Sequence, residues 1–218
     1  EKYYNGVIEQ VAGGIGNVEH NSILVRYSND FSIWDLESVN HYKDQTDIFF
    51  TCHEFSYNKI AEAYEPYLGL IRQMFHKYCS GTLEEFMEEC DVYKLQRPVF
   101  ESYFEKGFCE RTEQILIDEV EYEQERMHSS IVTMLQKLSE ICPIVIVLNR
   151  FQLASKSTMQ LTNRLLQTKN KNIGIVLGVN DVQSIPEFAH EEWDAICESM
   201  DDRNMVYHIG NAGRNMEP

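Results

Sequence analysis

The most informative candidate positions for chemistry follow an apolar segment near the middle of the chain. Residues 143–158 read PIVIVLNRFQLASKST, which is the pattern of a buried strand followed at once by Asn149 and Arg150. Ligands of parallel sheets usually bind just beyond the carboxyl ends of the strands. Carboxylates at such a place would hold Mg²⁺ or activate a water molecule. Asn149 is neutral and Arg150 is cationic, so neither can act as a base, and Arg150 would repel a metal ion.

The same segment resembles the Walker B region of STAND-type and related AAA-like ATPases. In that family an apolar strand ends in two acidic residues, followed by an aromatic or apolar residue, a glutamine and a helix start rich in Ser and Thr. Phe151-Gln152, Ala154 and Ser157-Thr158 keep this frame. The resemblance implies that Asn149 and Arg150 occupy the two acidic positions and that the Walker B motif is degenerate.

The first apolar strand, Ile23-Leu24-Val25, leads into the place where this family has its P-loop. That loop reads G-x-x-x-x-G-K-[ST], and its backbone N–H groups and lysine bind phosphate. Laid on the motif, the glycines, the lysine and the hydroxyl residue are replaced by Tyr27, Ser32, Ile33 and Trp34. Asp30 adds a negative charge where phosphates would lie. The resemblance therefore implies a degenerate Walker A motif as well.

Two further stretches carry the resemblance. Residues 65–71, EPYLGLI, resemble the helix after the second strand in cyclase-associated and LuxR-type ATPase modules, and residues 173–181 resemble the strand with the sensor position, which Asn180 would occupy. The glycines of residues 13–16 precede the first strand, so they predict a loop between a helix and a strand and no phosphate loop.

Apolar segments of strand length alternate with helical patterns along the chain. Strands are predicted at residues 21–27, 47–52, 144–148, 172–179 and 205–209. Helices are predicted at residues 3–12, 31–42, 60–75, 82–93, 98–108, 110–141, 157–167 and 187–200. Such alternation favours an α/β fold, a three-layer sandwich with a mainly parallel sheet, and the resemblance makes it P-loop NTPase-like. We expect one domain over residues 1–218 with a helical insertion at about 80–130, and the abrupt start at Glu1 favours a fragment of a longer multidomain protein.

Charge and composition limit the partners. The formal net charge is −16, which disfavours binding to nucleic acid or to anionic membranes. No apolar run has transmembrane length, and we expect a cytoplasmic protein whose six cysteines are reduced thiols. His53-Glu54 lacks the H-E-x-x-H spacing, so no metal site and no cofactor are predicted. A catalytic Cys–His pair formed by the fold is left open.

Some surface positions have two interpretations. Four glutamates and one aspartate form an acidic face, namely Glu84, Glu85, Glu88, Glu89 and Asp91. This face is a solvated helix surface or, alternatively, a docking site for a basic partner. Six aromatic residues belong either to the core or to an interface: Tyr3, Tyr4, Tyr42, Tyr103, Trp34 and Trp193.

These features together favour a non-catalytic regulatory module, a pseudo-ATPase, that contacts other domains of its own chain or a second copy. The resemblance implies a bacterial signalling protein whose output domain is a nucleotide cyclase, a diguanylate cyclase (GGDEF) or a DNA-binding domain. The alternative is a module that binds NTP without efficient hydrolysis and uses Lys43, Arg26 or Arg150 in place of the missing lysine. An enzyme of another class would need His53, Asn149 and Asp181 to converge in a pocket.

Overall fold

The computed structural model describes residues 2–17, 21–27, 47–59, 61–106, 120–180, 185–201 and 206–209. The chain divides into two compact units, one made of residues 1–63 and 142–218 and the other of residues 64–141. The helical stretch predicted at about 80–130 lies within the second unit.

The first unit contains helices and parallel strands, whereas every described element of the second unit is a helix. In chain order they are α1 (Lys2–Gly14), β1 (Ser22–Tyr27), β2 (Phe49–Glu54), α2 (Tyr67–Tyr78), α3 (Leu83–Glu89), α4 (Arg97–Lys106), α5 (Val120–Ile141), β3 (Ile144–Asn149), α6 (Lys156–Gln167), β4 (Ile173–Asn180), α7 (His190–Asp201) and β5 (Val206–Ile209). Short 3₁₀ turns lie at Phe151–Leu153 and Glu187–Ala189.

The five strands form one sheet in the order β2-β3-β4-β1-β5. Every neighbouring pair is parallel, so the predicted α/β class and its parallel sheet are confirmed. All six residues of β3 and all eight of β4 are buried, which explains their unbroken runs of Val, Ile and Leu.

Helices cover the two faces of the sheet. Because successive side chains of a strand point to opposite faces, Ile23, Val25 and Tyr27 share one face and Arg26 points to the other. Ile8 and Val11 of α1 belong to the core cluster on the Tyr27 face. On the other face, the Arg26 guanidinium lies 5.8 Å from the ring centroid of Trp193 in α7. This arrangement is compatible with a three-layer sandwich.

Close packing of α1 on the sheet requires Gly174 in β4. A Cβ atom at this position would lie 2.6 Å from Cγ1 of Val11 and 3.0 Å from the carbonyl oxygen of Asn21. Only glycine therefore allows the helix to approach this strand so closely.

Some boundaries differ from those predicted. Helix α1 continues through Gly14, and the break comes at Gly16, whose φ is +95°. The acidic helix ends at Glu89 and not at residue 93, because Asp91 adopts a left-handed conformation with φ of +53°. Pro66 marks a helix start and causes no kink, since α2 begins at Tyr67. The helix predicted at residues 31–42 lies outside the described residues.

The second unit has its own aromatic and polar core. Phe75 of α2 packs against Phe86 of α3 and Phe104 of α4, with ring centroids 5.3 and 5.6 Å away. Gln96, which is buried, accepts a hydrogen bond from the Ser130 hydroxyl at 2.9 Å and donates one to the Glu123 carbonyl at 3.1 Å. These two bonds fix the segment before α4 against helix α5.

Two expectations from composition concern cysteines and membranes. Cys52, Cys79, Cys90, Cys142 and Cys197 are thiols, and Cys90 and Cys142 are buried. Within the described ranges, no helix combines the length and the apolar character needed to cross a bilayer.

Candidate functional site at the carboxyl edge of the sheet

Four polar or phenolic residues end four neighbouring strands of the sheet. Tyr27 of β1 is paired in register with Asn180 of β4, and Glu54 of β2 is paired with Asn149 of β3. Because side chains alternate along a strand, all four residues belong to the same face of the sheet. The fold therefore gathers at one edge Tyr27, Asn149 and Asn180, three of the positions that the sequence singled out.

A direct hydrogen bond joins the ends of β1 and β3. The Tyr27 hydroxyl donates to Oδ1 of Asn149 at 2.8 Å. Strands β1 and β3 are not neighbours, since β4 lies between them, so about 10 Å separates their backbones. The phenol ring thus crosses the end of β4. Gly178, which pairs with Val25, lies on the same face of β4 and carries no side chain in the way.

The orientation of the Asn149 amide is fixed by its backbone neighbour. Oδ1 also accepts a hydrogen bond from the backbone N–H of Arg150 at 2.9 Å. A flipped amide would point its own N–H₂ group at this N–H donor, so the oxygen must face Arg150. The side chain is 0% exposed, and its Nδ2 atom finds no hydrogen-bond acceptor among the described residues. The Walker B-like position is therefore sealed from solvent.

Burial also affects the acidity of Tyr27. Removal of the phenol from water raises its pKa to about 12, although the backbone N–H and the positive charge of Arg150 act in the opposite direction. The side chain is only 2% exposed. At neutral pH the hydroxyl is protonated and remains the donor to Asn149.

The side chain of Arg150 forms an ion pair with Glu54 at the end of β2. Its Nε atom lies 3.2 Å from Oε1 of Glu54, and its guanidinium lies 6.0 Å from the ring centroid of Tyr57. Its backbone is left-handed, with φ of +51°, which is uncommon for a residue other than glycine. The residue that directly follows β3 therefore carries a cation that is paired with Glu54.

Phe151 and Gln152, which follow Arg150, are part of the buried core. Phe151 is buried and contacts Phe55 and Trp193, with ring centroids 6.1 and 6.5 Å away. Gln152 is also buried, and its Oε1 accepts a hydrogen bond from the backbone N–H of Asn180 at 3.4 Å. This bond ties the sensor-like position to the turn after β3.

Ser155, which lies between the residues of the frame, caps helix α6 together with Thr158. Ser155 is its N-cap residue, and Oγ accepts a hydrogen bond from the Thr158 backbone N–H at 3.2 Å. The two hydroxyl oxygens of Ser155 and Thr158 are 2.9 Å apart. Thr158 is buried, so this hydroxyl pair is part of the helix start.

The structure thus brings together only part of the predicted site. Tyr27, Asn149, Arg150 and Asn180 meet at the edge, while Ser32, Ile33 and Trp34 lie outside the described residues. Sequence reasoning noted Glu54 only as a neighbour of His53 and missed its role as the partner of Arg150. No local signal marks this pair, because the two residues are far apart in sequence and are joined by strand pairing.

The other predicted sites also have definite places. His53 packs edge-on against Phe55, with ring centroids 4.6 Å apart, and Asn149 is sealed under Tyr27. Asp181 and Lys43 lie outside the described residues. No three His, Cys, Asp or Glu side chains of the described segments are grouped so that they could hold a metal ion.

Comparison with known proteins adds no relative. No protein family, no curated protein and no solved structure matches the chain.

Proposed function

We propose that this chain is a P-loop NTPase-like module that has lost nucleotide chemistry and works as a regulatory pseudo-ATPase. By the resemblance to STAND-type modules, it belongs to a larger bacterial signalling protein. Its output domain would be a nucleotide cyclase, a diguanylate cyclase (GGDEF) or a DNA-binding domain. The module acts by contacting other domains of the chain or a second copy.

The observation that carries this proposal is the hydrogen bond between Tyr27 and Asn149. An active site of this class keeps the space between its Walker A and Walker B strands open for phosphates and Mg²⁺. Here a tyrosine at the first P-loop glycine position reaches across that space to the first Walker B position. Neither residue offers a positive charge to phosphate or a carboxylate to metal.

The sheet order supports the P-loop part of the proposal. The strand before the degenerate Walker A position and the strand before the degenerate Walker B position are separated by β4, which ends at the sensor-like Asn180. The three positions on which the resemblance rests therefore lie at the ends of three adjacent strands. The order also differs from the two common doubly wound orders, 3-2-1-4-5-6 and 2-1-3-4-5.

The rival hypothesis of nucleotide binding without hydrolysis needs a cation to replace the P-loop lysine. Arg150 is paired with Glu54. Arg26 is directed to the opposite face of the sheet, where it contacts Trp193 and lies 3.4 Å from Sγ of Cys197. The contacts of these two arginines do not favour a phosphate site.

Thermal unfolding with and without nucleotide tests the proposal. A nucleotide at about 100 times its Kd would stabilise the folded state by about 2.7 kcal/mol, which raises Tm by about 5–10 °C for a chain of this length. We expect no shift with Mg-ATP or Mg-GTP.

A shift of several degrees would overturn the proposal. Isothermal titration of the Arg150→Ala variant with ATP and GTP would then test the alternative, a module that binds NTP without efficient hydrolysis. Nucleotide binding that disappears in this variant would establish a module that binds NTP without hydrolysis. The Lys156→Ala variant is the matched control, because Lys156 pairs with Glu192 at 3.1 Å instead of Glu54.

A further inference from the structure

A cleft with a volume of about 390 Å³ opens on the surface of the second unit. It is bordered by the end of α2, by α3 and by the end of α5. Its lining includes Phe75, Phe86, Ile141, Lys137 and the three glutamates Glu85, Glu88 and Glu89. We call it the acid-rimmed cleft.

The inner part of the acid-rimmed cleft is apolar. Phe75 and Phe86 line it as core rings that are only 7% and 6% exposed, and Ile141 is a large aliphatic side chain that is 52% exposed. Ile141 therefore supplies most of the apolar area that the cleft leaves in water and that a partner could cover. This apolar surface is what distinguishes the cleft from an ordinary solvated helix face.

The rim is strongly acidic. Glu85, Glu88 and Glu89 line it, and Lys137 is the one cation among the lining residues. Lys137 lies 3.6 Å from Glu89, so this ammonium group is already matched by a carboxylate of the cleft. The lining therefore carries two negative charges more than positive ones.

The capping box of α3 holds the carboxylate of Glu85 in place. The backbone N–H of Thr82 donates to its carboxylate at 2.8 Å, and this bond and the Thr82 side chain lower the pKa of Glu85. Its charge is thus present at neutral pH, at the mouth of an apolar cleft.

We propose that the acid-rimmed cleft docks an amphipathic basic segment of a partner protein, with apolar side chains placed beside Ile141 and Lys or Arg side chains placed beside Glu85 and Glu88. Charge decides between the occupants. A second copy of this chain carries the same net charge of −16, and nucleic acids and anionic lipid surfaces are also negative, so all three are repelled. A cationic and apolar segment satisfies both parts of the cleft.

This inference is independent of nucleotide chemistry, since every lining residue belongs to residues 64–141 and every residue of the sheet edge lies outside that range. The two proposals therefore fail separately. Nucleotide binding would overturn the pseudo-ATPase without affecting the cleft, and failure of peptide binding would leave the pseudo-ATPase in place.

The test is a titration of the whole chain against a fluorescent peptide, followed by fluorescence anisotropy. The probe is a helical peptide of Leu, Lys and Ala with leucines at i, i+3, i+4 and i+7 and lysines beside them. We expect saturable binding that weakens about tenfold in Glu88→Lys, which reverses a rim charge, and about tenfold in Ile141→Ser, which removes the apolar contact.

Two variants of the same unit serve as matched controls. Glu101→Lys reverses an exposed charge on α4, away from the cleft, and changes the net charge by the same amount as Glu88→Lys. Leu95→Ser removes an apolar side chain that is 70% exposed and does not line the cleft. We expect both controls to bind the peptide as the wild type does.

Three results would overturn the proposal. Equal weakening by Glu101→Lys and Glu88→Lys would show general attraction between opposite charges. Equal binding of a peptide with glutamate in place of lysine would show that the acidic rim does not select a basic partner. A concentration-dependent dimer in sedimentation that Ile141→Ser abolishes would assign the cleft to a second copy. Because Glu88 and Ile141 are both exposed, either variant alone keeps the test informative if the other fails to fold.

Discussion

Strands β2 and β3 are neighbours that end side by side, yet their last residues lie in opposite environments. Asn149 at the end of β3 is 0% exposed and receives hydrogen bonds from Tyr27 and the Arg150 backbone. Glu54 at the end of β2 has a side chain that is 37% exposed and pairs with Arg150. The position of each strand in the sheet explains the difference, since β3 is flanked by strands on both sides and β2 lies at one end of the order.

The comparison teaches which polar contacts determine stability at this edge. A buried acceptor such as Asn149 cannot be replaced by water, so its loss leaves buried donors without a partner. A half-exposed ion pair such as Arg150 with Glu54 exchanges its contacts with water and ions at little cost. The three predictions below follow from this contrast, in order of decreasing effect.

The largest effect is expected from Asn149→Ala. The substitution removes the common acceptor of the Tyr27 hydroxyl and the Arg150 N–H group, and we expect a loss of about 3 kcal/mol in the free energy of unfolding. Urea denaturation measures this loss, and Tm should fall by about 6–12 °C. Asn58→Ala is the matched control beyond the end of β2, because Asn58 is exposed, and it should stay within about 0.5 kcal/mol of the wild type. Equal effects of the two variants would contradict the contrast between the strand ends.

A smaller effect is expected from Tyr27→Phe. At neutral pH the loss of one buried hydrogen bond should cost about 1 kcal/mol, because Asn149 keeps its bond from Arg150. The pH dependence is more specific. The folded state raises the pKa of Tyr27 to about 12. The resulting stabilisation is therefore complete below the unfolded pKa of about 10 and is lost as the pH rises toward 12, by up to about 1.4 kcal/mol per pH unit.

Urea midpoints measured at several pH values from 9 upward check this prediction. The wild type should lose more stability than Tyr27→Phe over the range in which Tyr27 titrates. Tyr57→Phe, which changes a ring that is 53% exposed, should follow the wild type. Parallel curves for the wild type and Tyr27→Phe would show that the phenol is not buried in solution.

The smallest effect is expected from Glu54→Gln. Breaking a partly exposed ion pair should cost about 0–1 kcal/mol, and the cost should shrink as salt is added. A double-mutant cycle with Arg150→Gln isolates the pair energy. A coupling energy above about 2 kcal/mol that is insensitive to salt would contradict this prediction, because it would show that the Arg150–Glu54 pair behaves as a buried contact.

The sequence predicted the sheet well for a physical reason. Buried strands such as Ile144–Asn149 and Ile173–Asn180 must be apolar on both faces. Each is therefore recognisable in the sequence as an unbroken run of apolar residues. Ends of helices were predicted less well. The early end of α3 depends on the left-handed backbone of Asp91, a conformation that no residue pattern in the acidic stretch requires.

The sequence predicted the strand that leads to Asn149, and it predicted none of the contacts that Asn149 makes. The frame of apolar strand, Asn149-Arg150 and Phe151-Gln152 identified the end of β3 from sequence alone. The side-chain partners of Arg150 and Asn149 are Glu54 and Tyr27, which come from other strands. The order of strands in a parallel sheet is set by long crossovers that local pattern does not encode.

The sequence by itself determined that the end of β3 carries no carboxylate and that the place expected for the P-loop lysine holds an isoleucine. Side-chain chemistry is a property of the residue, so no fold can give these positions a base or a lysine. Only the tertiary structure decided that Tyr27 reaches across β4 to Asn149 and that Glu54 neutralises Arg150. Those contacts exist because strand order and register bring residues that are distant in sequence to one edge, where burial decides which polar groups can find a partner.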